Sequence, residues 1–221
     1  MQIHFKDTRR DLSIMASILF VKANDRPADQ AISVQMYNTF LESYKAAHPN
    51  DTVTELDLYE EVLPFYGNTA MTGMFKAGQG IDTTPEEQAA VELVTKYVNQ
   101  FLEADKVVIT VPLWNFTAPA PLINYVAYLA QAGKTFRYTA EGPVGLATGK
   151  KVALLSARGG VYSTAPMADF ESALRPLKGA FGLFGVQAQE IVIEGHNQFR
   201  DRAADIVSEG LNKVKAEAAA F

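Results

Sequence analysis

Apolar and polar residues along this chain of 221 residues fall into five short apolar segments separated by stretches with helical spacing. Residues 17–23 (SILFVKA) have the length and β-branching of a strand. Behind them Tyr37, Phe40, Leu41 and Tyr44 recur at i, i+3, i+4 and i+7, which puts one buried face on a helix. Residues 53–58 alternate and predict a second strand. Further strands are predicted over 107–111, 152–156 and 188–193. The third and fourth are apolar almost throughout, as strands are when helices cover both faces of a sheet. A helical stretch, 122–130, follows the third.

A long insertion, 59–83, separates the second strand from the next helix and carries glycines and scattered apolar residues. It ends in a helix start: Thr84 caps, Pro85 takes the first position and Glu87 completes a capping box. Val91, Val94, Val98 and Phe101 then form the buried stripe. Another helix is expected over about 169–181, with a kink or break at Pro176. The last, about 201–219, turns Ile206, Leu211 and Val214 inward. Strands alternating with helices imply right-handed crossovers and a parallel sheet. Five such units fit an α/β, flavodoxin-like order 2-1-3-4-5 with helices on both faces. Residues 1–14 contain Lys6, Arg9 and Arg10 but no sustained apolar core of a signal peptide. They read as an extension outside the fold, with an arm docking on the body or a partner as the alternative. Residues 15–221 read as a single domain, and the expected location is cytoplasmic.

Composition narrows the chemistry. The hydrophobic fraction of 48% and charged fraction of 20% are those of a globular protein. A net charge of -5 argues against non-specific binding to nucleic acid or an anionic membrane. No apolar run approaches the roughly 20 residues that span a bilayer. Without cysteine there are no disulfides and no thiolate chemistry, so any electron transfer needs a bound cofactor. Three histidines without HExxH or CxxC leave no metal set.

In open parallel sheets ligands bind where strand carboxyl ends open into loops. After the third strand, such a loop sets Trp114 and Phe116 around Asn115, with Pro112 and Pro119 restricting the backbone. That suits a flat aromatic ligand with polar edges. The loop after the first strand, residues 24–33, has no glycine, which excludes both G-x-G-x-x-G and a P-loop. Free N–H groups at the helix start near Ser33, with the Asn24 and Ser33 side chains, suit a terminal phosphate; caps and turn formers are the other reading. After the fourth strand, Ala157-Arg158-Gly159-Gly160 lets backbone approach a ligand closely, or makes a plain turn. Together, these loops can grip a planar ring from an edge and one face.

From Met15 to the C-terminus the chain resembles the FMN-dependent NADH-azoreductase family, whose members also act as NADH:quinone oxidoreductases. The marks are Pro112-Leu113-Trp114-Asn115-Phe116, Ala132-Gly133-Lys134-Thr135-Phe136-Arg137-Tyr138-Thr139, Gly142-Pro143-Val144-Gly145-Leu146, the entry Gly149-Lys150-Lys151, and Arg158-Gly159-Gly160. The resemblance implies FMN as cofactor, NADH or NADPH as hydride donor, and a quinone or azo compound reduced by two electrons in ping-pong fashion. Leu113, Trp114, Asn115 and Phe116 would contact the ring, Ala157, Arg158, Gly159 and Gly160 would flank it, and Asn24 and Ser33 would lie near the phosphate. Many members carry Ser-Gln-Ser where this chain has Ala31-Ile32-Ser33, leaving the phosphate to backbone N–H groups and Asn24. The family is homodimeric with its site at the subunit interface. Met71, Met74 and Phe75 read as packing residues, with lining of the partner's pocket as the alternative. Chemistry at flavin N5 needs no catalytic side chain. Tyr138 would wall the pocket mouth; the candidate proton donors are Tyr162, which would meet flavin or substrate or merely pack, and His196, on the same sheet edge, which reads as a solvated or capping group with a catalytic role as the alternative. Arg158 and Arg137 are the basic residues on hand for a phosphate of NADPH. A flavodoxin-type electron carrier is the alternative function; the insertion, the 132–146 excursion and the aromatic loop speak for a substrate pocket instead.

Overall fold

The computed structural model describes residues 15–221; residues 1–14, and with them the expected extension, lie outside the described residues. Five strands, β1 (Ser17–Lys22), β2 (Thr52–Asp57), β3 (Lys106–Pro112), β6 (Lys151–Arg158) and β7 (Gln189–Glu194), form one sheet in the order β2-β1-β3-β6-β7. Every pairing in it is parallel. Counting these five alone, the order is the expected 2-1-3-4-5. The remaining two strands, β4 (Phe136–Thr139) and β5 (Gly142–Gly145), make a separate antiparallel hairpin inside the 132–146 excursion.

Alternate residues of β3 feed two cores. Val107, Ile109 and Val111 pack with Tyr97 and Phe101 of α3 (Pro85–Glu103), Tyr125 of α4 (Ala120–Leu129) and Phe181 of α5 (Leu174–Leu183). Val108 faces the other way, toward Phe40 and Tyr44 of α1 (Ile32–Ala47) and Val214 of α6 (Ala203–Ala220). There Phe20 is met edge-on by Tyr37, Phe40 and Tyr44 at centroid distances of 5.8, 6.0 and 6.0 Å. Burying each such ring stabilises the fold by about 1.5–3 kcal/mol. Among the described residues no helix is long and apolar enough to cross a membrane.

One expectation needs correction, at Pro176, and one helix was not assigned from the sequence: residues Asn68–Gln79 of the insertion form α2. Its buried positions are Ala70 and Gly73, small residues that leave no apolar period to read. Gly73 is required by close approach: a Cβ there would stand 2.8 Å from the Glu87 carbonyl oxygen of α3. Pro176 neither kinks nor breaks a helix. The chain forms a short 3-10 turn at Met167–Phe170 and α5 starts afresh at Leu174, so Pro176 sits in a first turn whose N–H groups have no intrahelical acceptor. Glu171 caps that start, its Oε1 accepting from the N–H groups of Ala173 and Leu174 at 3.0 and 2.8 Å. The start of α3 is as expected: Thr84 accepts from the Glu87 N–H at 3.2 Å and Glu87 accepts from the Thr84 N–H at 2.9 Å.

Asn124 of α4 anchors the chain that leads into α2. Its buried amide accepts from the Tyr66 N–H at 2.9 Å and donates to the carbonyls of Leu63 and Pro64 at 3.1 and 2.9 Å. Truncation strands the Tyr66 N–H and the Leu63 carbonyl, each costly to leave unmade, while the Pro64 carbonyl keeps the bond from the Tyr128 hydroxyl. Asn124→Ala is therefore expected to lose about 2–3 kcal/mol in urea denaturation, and to open the 59–67 segment to limited proteolysis. Wild-type resistance of that segment in the variant would remove the anchoring role.

Candidate functional site

The carboxyl ends of β1, β3, β6 and β7 open on the same edge of the sheet. A cavity of about 280 Å³ lies there, walled by Asn24 and Ser33 on the α1 side and by Leu113, Trp114, Ala157 and Gly159 on the other. Six residues singled out from the sequence thus converge. Asn115, Phe116, Arg158, Gly160, Tyr162 and Tyr138 do not line this cavity. The loops carrying four of them nevertheless meet, since the Phe116 ring stands 6.3 Å from Tyr162 and 5.7 Å from Phe170. Gly160 lies under the Tyr162 ring, where an added Cβ would fall 3.3 Å from it. Tyr138 is 74% exposed on the hairpin, edge-on to Phe136.

At the α1 end of the cavity, Asn24 does two jobs at once. Its carbonyl oxygen accepts from the Arg26 N–H at 2.9 Å, forming a turn, and its Nδ2 donates to the Ser33 hydroxyl oxygen at 2.8 Å. Both side chains are buried. Helix α1 has no side-chain cap at Ala31 and no acidic residue in its first turn. Its leading N–H groups therefore carry a partial positive charge with no carboxylate in their own turn, an arrangement that suits an anion beside Arg26 and Asp29, which also line the cavity. Sequence reasoning missed Arg26, Gln30 and Asn197, and kept His196 only as the less favoured proton-donor candidate; all four line the cavity. The available signal was topological: β7 is the neighbour of β6, so the residues following it must reach the same edge.

The Trp114–Thr117 turn closes on itself, with Trp114 and Thr117 exchanging N–H···O bonds of 3.0 Å each. Asn115 and Phe116 between them have φ of 47° and 70°. Two central residues at positive φ are the mark of a type I′ turn. Asn accepts this conformation; Phe resists it, at a cost of about 1–2 kcal/mol. The turn is held from outside, because the Phe116 carbonyl accepts from the Ser172 N–H at 2.9 Å.

Arg158 lies elsewhere than its motif suggests. Its guanidinium is buried between Glu171 at 3.8 Å and Glu194 at 3.5 Å, so its charge is already engaged. Glu194 also accepts from the Tyr162 N–H at 2.9 Å and from the Ser163 hydroxyl. One cation thus ties the end of β6 to the start of α5, the end of β7 and the 159–163 loop. Only its backbone is left to face a ligand.

The flavodoxin-like fold family model matches residues 16–218. FMN-dependent NADH:quinone oxidoreductase 2 of Bacillus cereus (strain ATCC 10987 / NRS 248) is 58% identical over 208 residues, 94% of this chain and all of that protein. The chain belongs to this flavodoxin-like family of FMN-dependent NADH:quinone oxidoreductases. A member from Brevibacillus brevis is 55% identical over 94% of this chain and its own full length. Among solved structures, azoreductase from Bacillus anthracis str. Sterne superposes with a TM-score of 0.92 at 57% identity, covering 94% of this chain and 100% of that one. An FMN-dependent NADH-azoreductase from Bacillus anthracis str. Ames Ancestor, solved in complex with FMN, gives a TM-score of 0.82 at 28% identity, over 93% and 98% of the two chains.

The site of this family member fits FMN on its own chemistry: an uncapped helix start with buried amide and hydroxyl groups at one end, an aromatic turn and a glycine pair at the other. The strain in the turn is testable without any ligand. Asn115→Ala is expected to destabilise the protein by about 1–2 kcal/mol in urea, while Asn115→Gly stays within about 0.5 kcal/mol of the parent. Equal stability of the two variants would remove the left-handed constraint.

Proposed function

We propose that the chain is an FMN-dependent oxidoreductase that takes hydride from NADH and reduces quinones and azo compounds by two electrons. The observation that carries this reading is the convergence of an uncapped helix start, Leu113 and Trp114 of the aromatic loop, and Gly159 of the glycine pair on one cavity at the sheet edge. Family membership over nearly the whole chain supports the same reaction. FMN, when bound, supplies the two-electron chemistry that a chain without cysteine, and without a metal-binding cluster among its described residues, does not provide itself.

In this reading Leu113, Trp114, Asn115 and Phe116 hold the ring, and the Ala157, Arg158, Gly159 and Gly160 backbone flanks it. Asn24, Ser33 and the α1 N–H groups hold the phosphate. Backbone N–H groups around the glycine pair stabilise negative charge at the ring edge without reorganising, because Arg158 and Glu194 already fix that loop. Phe116, Phe170 and Tyr162 form an apolar wall that excludes water from one side. Tyr138 and Tyr162 bound the substrate side. Donor and acceptor use one position in turn, which gives ping-pong kinetics. NADH is the favoured donor: the Arg158 charge is engaged by two carboxylates, leaving Arg137 alone of the two expected phosphate partners.

The protein acts as a cytoplasmic homodimer with the site at the subunit interface, each chain contributing one domain over residues 15–221. Val62, Phe65, Met71 and Phe75 support a dimer, being largely exposed apolar side chains around the insertion. Met74, in contrast, packs against the core.

The purified protein is expected to be yellow and to release FMN on denaturation. Initial rates of NADH oxidation at several fixed quinone concentrations should give parallel double-reciprocal lines, and intersecting lines would mean that both substrates bind together. Sedimentation equilibrium should return twice the chain mass.

A further inference from the structure

We infer that His196 is the ionisable cation that neutralises the phosphate of FMN, in place of the serine hydroxyl that Ala31 lacks. The inference rests on the FMN reading above. His196 follows β7 and lines the same cavity as Asn24, Ser33 and the start of α1. Its Nδ1 is enclosed and has no hydrogen-bond partner within the protein. The ring lines the cavity while no carboxylate or carbonyl of the chain holds that nitrogen, so a charge placed on the imidazole is left for an anion in the cavity.

The charges around the ring make the case. From the 24–31 loop, Arg26 and Asp29 line the cavity, and their formal charges cancel. The first turn of α1 brings no carboxylate. Glu194, on β7, is engaged by Arg158, by the Tyr162 N–H and by the Ser163 hydroxyl. The end of β6 and the loop after it bring only Ala157 and Gly159, the end of β3 only Pro112, Leu113 and Trp114, and α6 meets His196 with uncharged residues such as Ala203, Val207 and Ser208. With His196 neutral, a phosphate carrying about -1.5 to -2 charges at pH 7 meets no net side-chain charge. Protonation of this one ring changes that.

Burial alone holds the His196 imidazole below the ordinary histidine range in the ligand-free protein. A phosphate against the ring favours the charged form, so FMN binding takes up a proton. The sign follows: the bound-state pKa exceeds the free one, so FMN affinity falls as pH rises between the two values. Each unit by which the ring's pKa rises on binding is worth a factor of about ten in affinity.

The test is dilution-driven release of FMN from the holoprotein, read by recovery of flavin fluorescence, from about pH 5.5 to about pH 8.5, the range a histidine spans. Wild type is compared with His196→Gln, or with His196→Asn should the glutamine variant not fold. Imidazole proton NMR of the wild type, loaded with FMN or with the phosphate-free riboflavin, follows the ring directly. Wild type should bind FMN about tenfold more tightly than the variant at the acid end, the two converging at the alkaline end. The ring should titrate at higher pH with FMN than with riboflavin. Parallel pH profiles, or a midpoint indifferent to the phosphate, overturn the role of His196 and leave FMN binding intact. Failure of the wild type to hold FMN at any pH removes both readings.

Discussion

The site depends on the pairing of β3 with β6 being carried to the very end of both strands. Pro112 stands opposite Ala157, and the Leu113 N–H donates to the Ala157 carbonyl at 3.1 Å. Strands paired in a sheet run about 4.8 Å apart, so the two loops leave the sheet as close neighbours. One then turns through Trp114–Thr117 and the other through the glycine pair. A slip of one residue in register would flip Val107, Ile109 and Val111 out of one core into the other. The hydrophobic alternation that fills the two cores therefore also fixes the spacing of the loops.

Beyond the sheet, loop shape is enforced by contacts that the loops do not make themselves. A Phe at φ 70° persists because Ser172 holds its carbonyl and because Tyr162 and Phe170 pack against its ring. The 159–163 segment is held by Glu194, which Arg158 holds in turn. Gly159 accepts this crowding, since a Cβ there would lie 2.6 Å from the Asn197 Nδ2. Strain of this kind gathers where geometry must be set before a ligand arrives. A buried ion cluster adds little net stability, and replacement by apolar groups is often neutral. Its value here is positional, joining three segments at one guanidinium.

Much of this was legible in the residues. Five apolar runs gave the sheet because burial on both faces leaves them continuous, and the Thr84–Glu87 box marked its helix because capping chemistry is local. The Trp-Asn-Phe turn and the glycine pair stood out because their residue types are unusual for their place. Helix α2 was hidden because its contact face is Ala70 and Gly73, which carry no periodic signal. The Arg158 side chain misled because a motif fixes a residue's place in the chain but not the direction of its side chain. Glu171 and Glu194, its partners, lie 13 and 36 residues further along the sequence. His196 was discounted for a similar reason, since a lone histidine acquires its surroundings only when α1 and β7 are brought to one edge.

The two ends of the sheet divide stability from function. At the amino end the polar groups are mutually satisfied. Tyr44 donates to Asp51, Lys106 donates to the Tyr44 hydroxyl at 3.0 Å, and Asp105 accepts from the N–H and hydroxyl of Ser17 at 2.8 and 2.9 Å. Burial works against the Asp51 carboxylate, but the Tyr44 hydroxyl, the Ala16 N–H, Lys106 and His48 outweigh it and hold its pKa below the usual range. Asp105 is held low chiefly by the Ser17 N–H. Carboxylates lowered in this way stabilise the fold above their unfolded pKa values and release it as pH falls through the folded ones. At the carboxyl end the pattern reverses: α1 begins without a side-chain cap, two residues sit at positive φ, and an imidazole nitrogen is enclosed without a partner. The N–H groups at the start of α1 are left for a bound anion, and a ligand that binds only the folded chain stabilises that chain in turn.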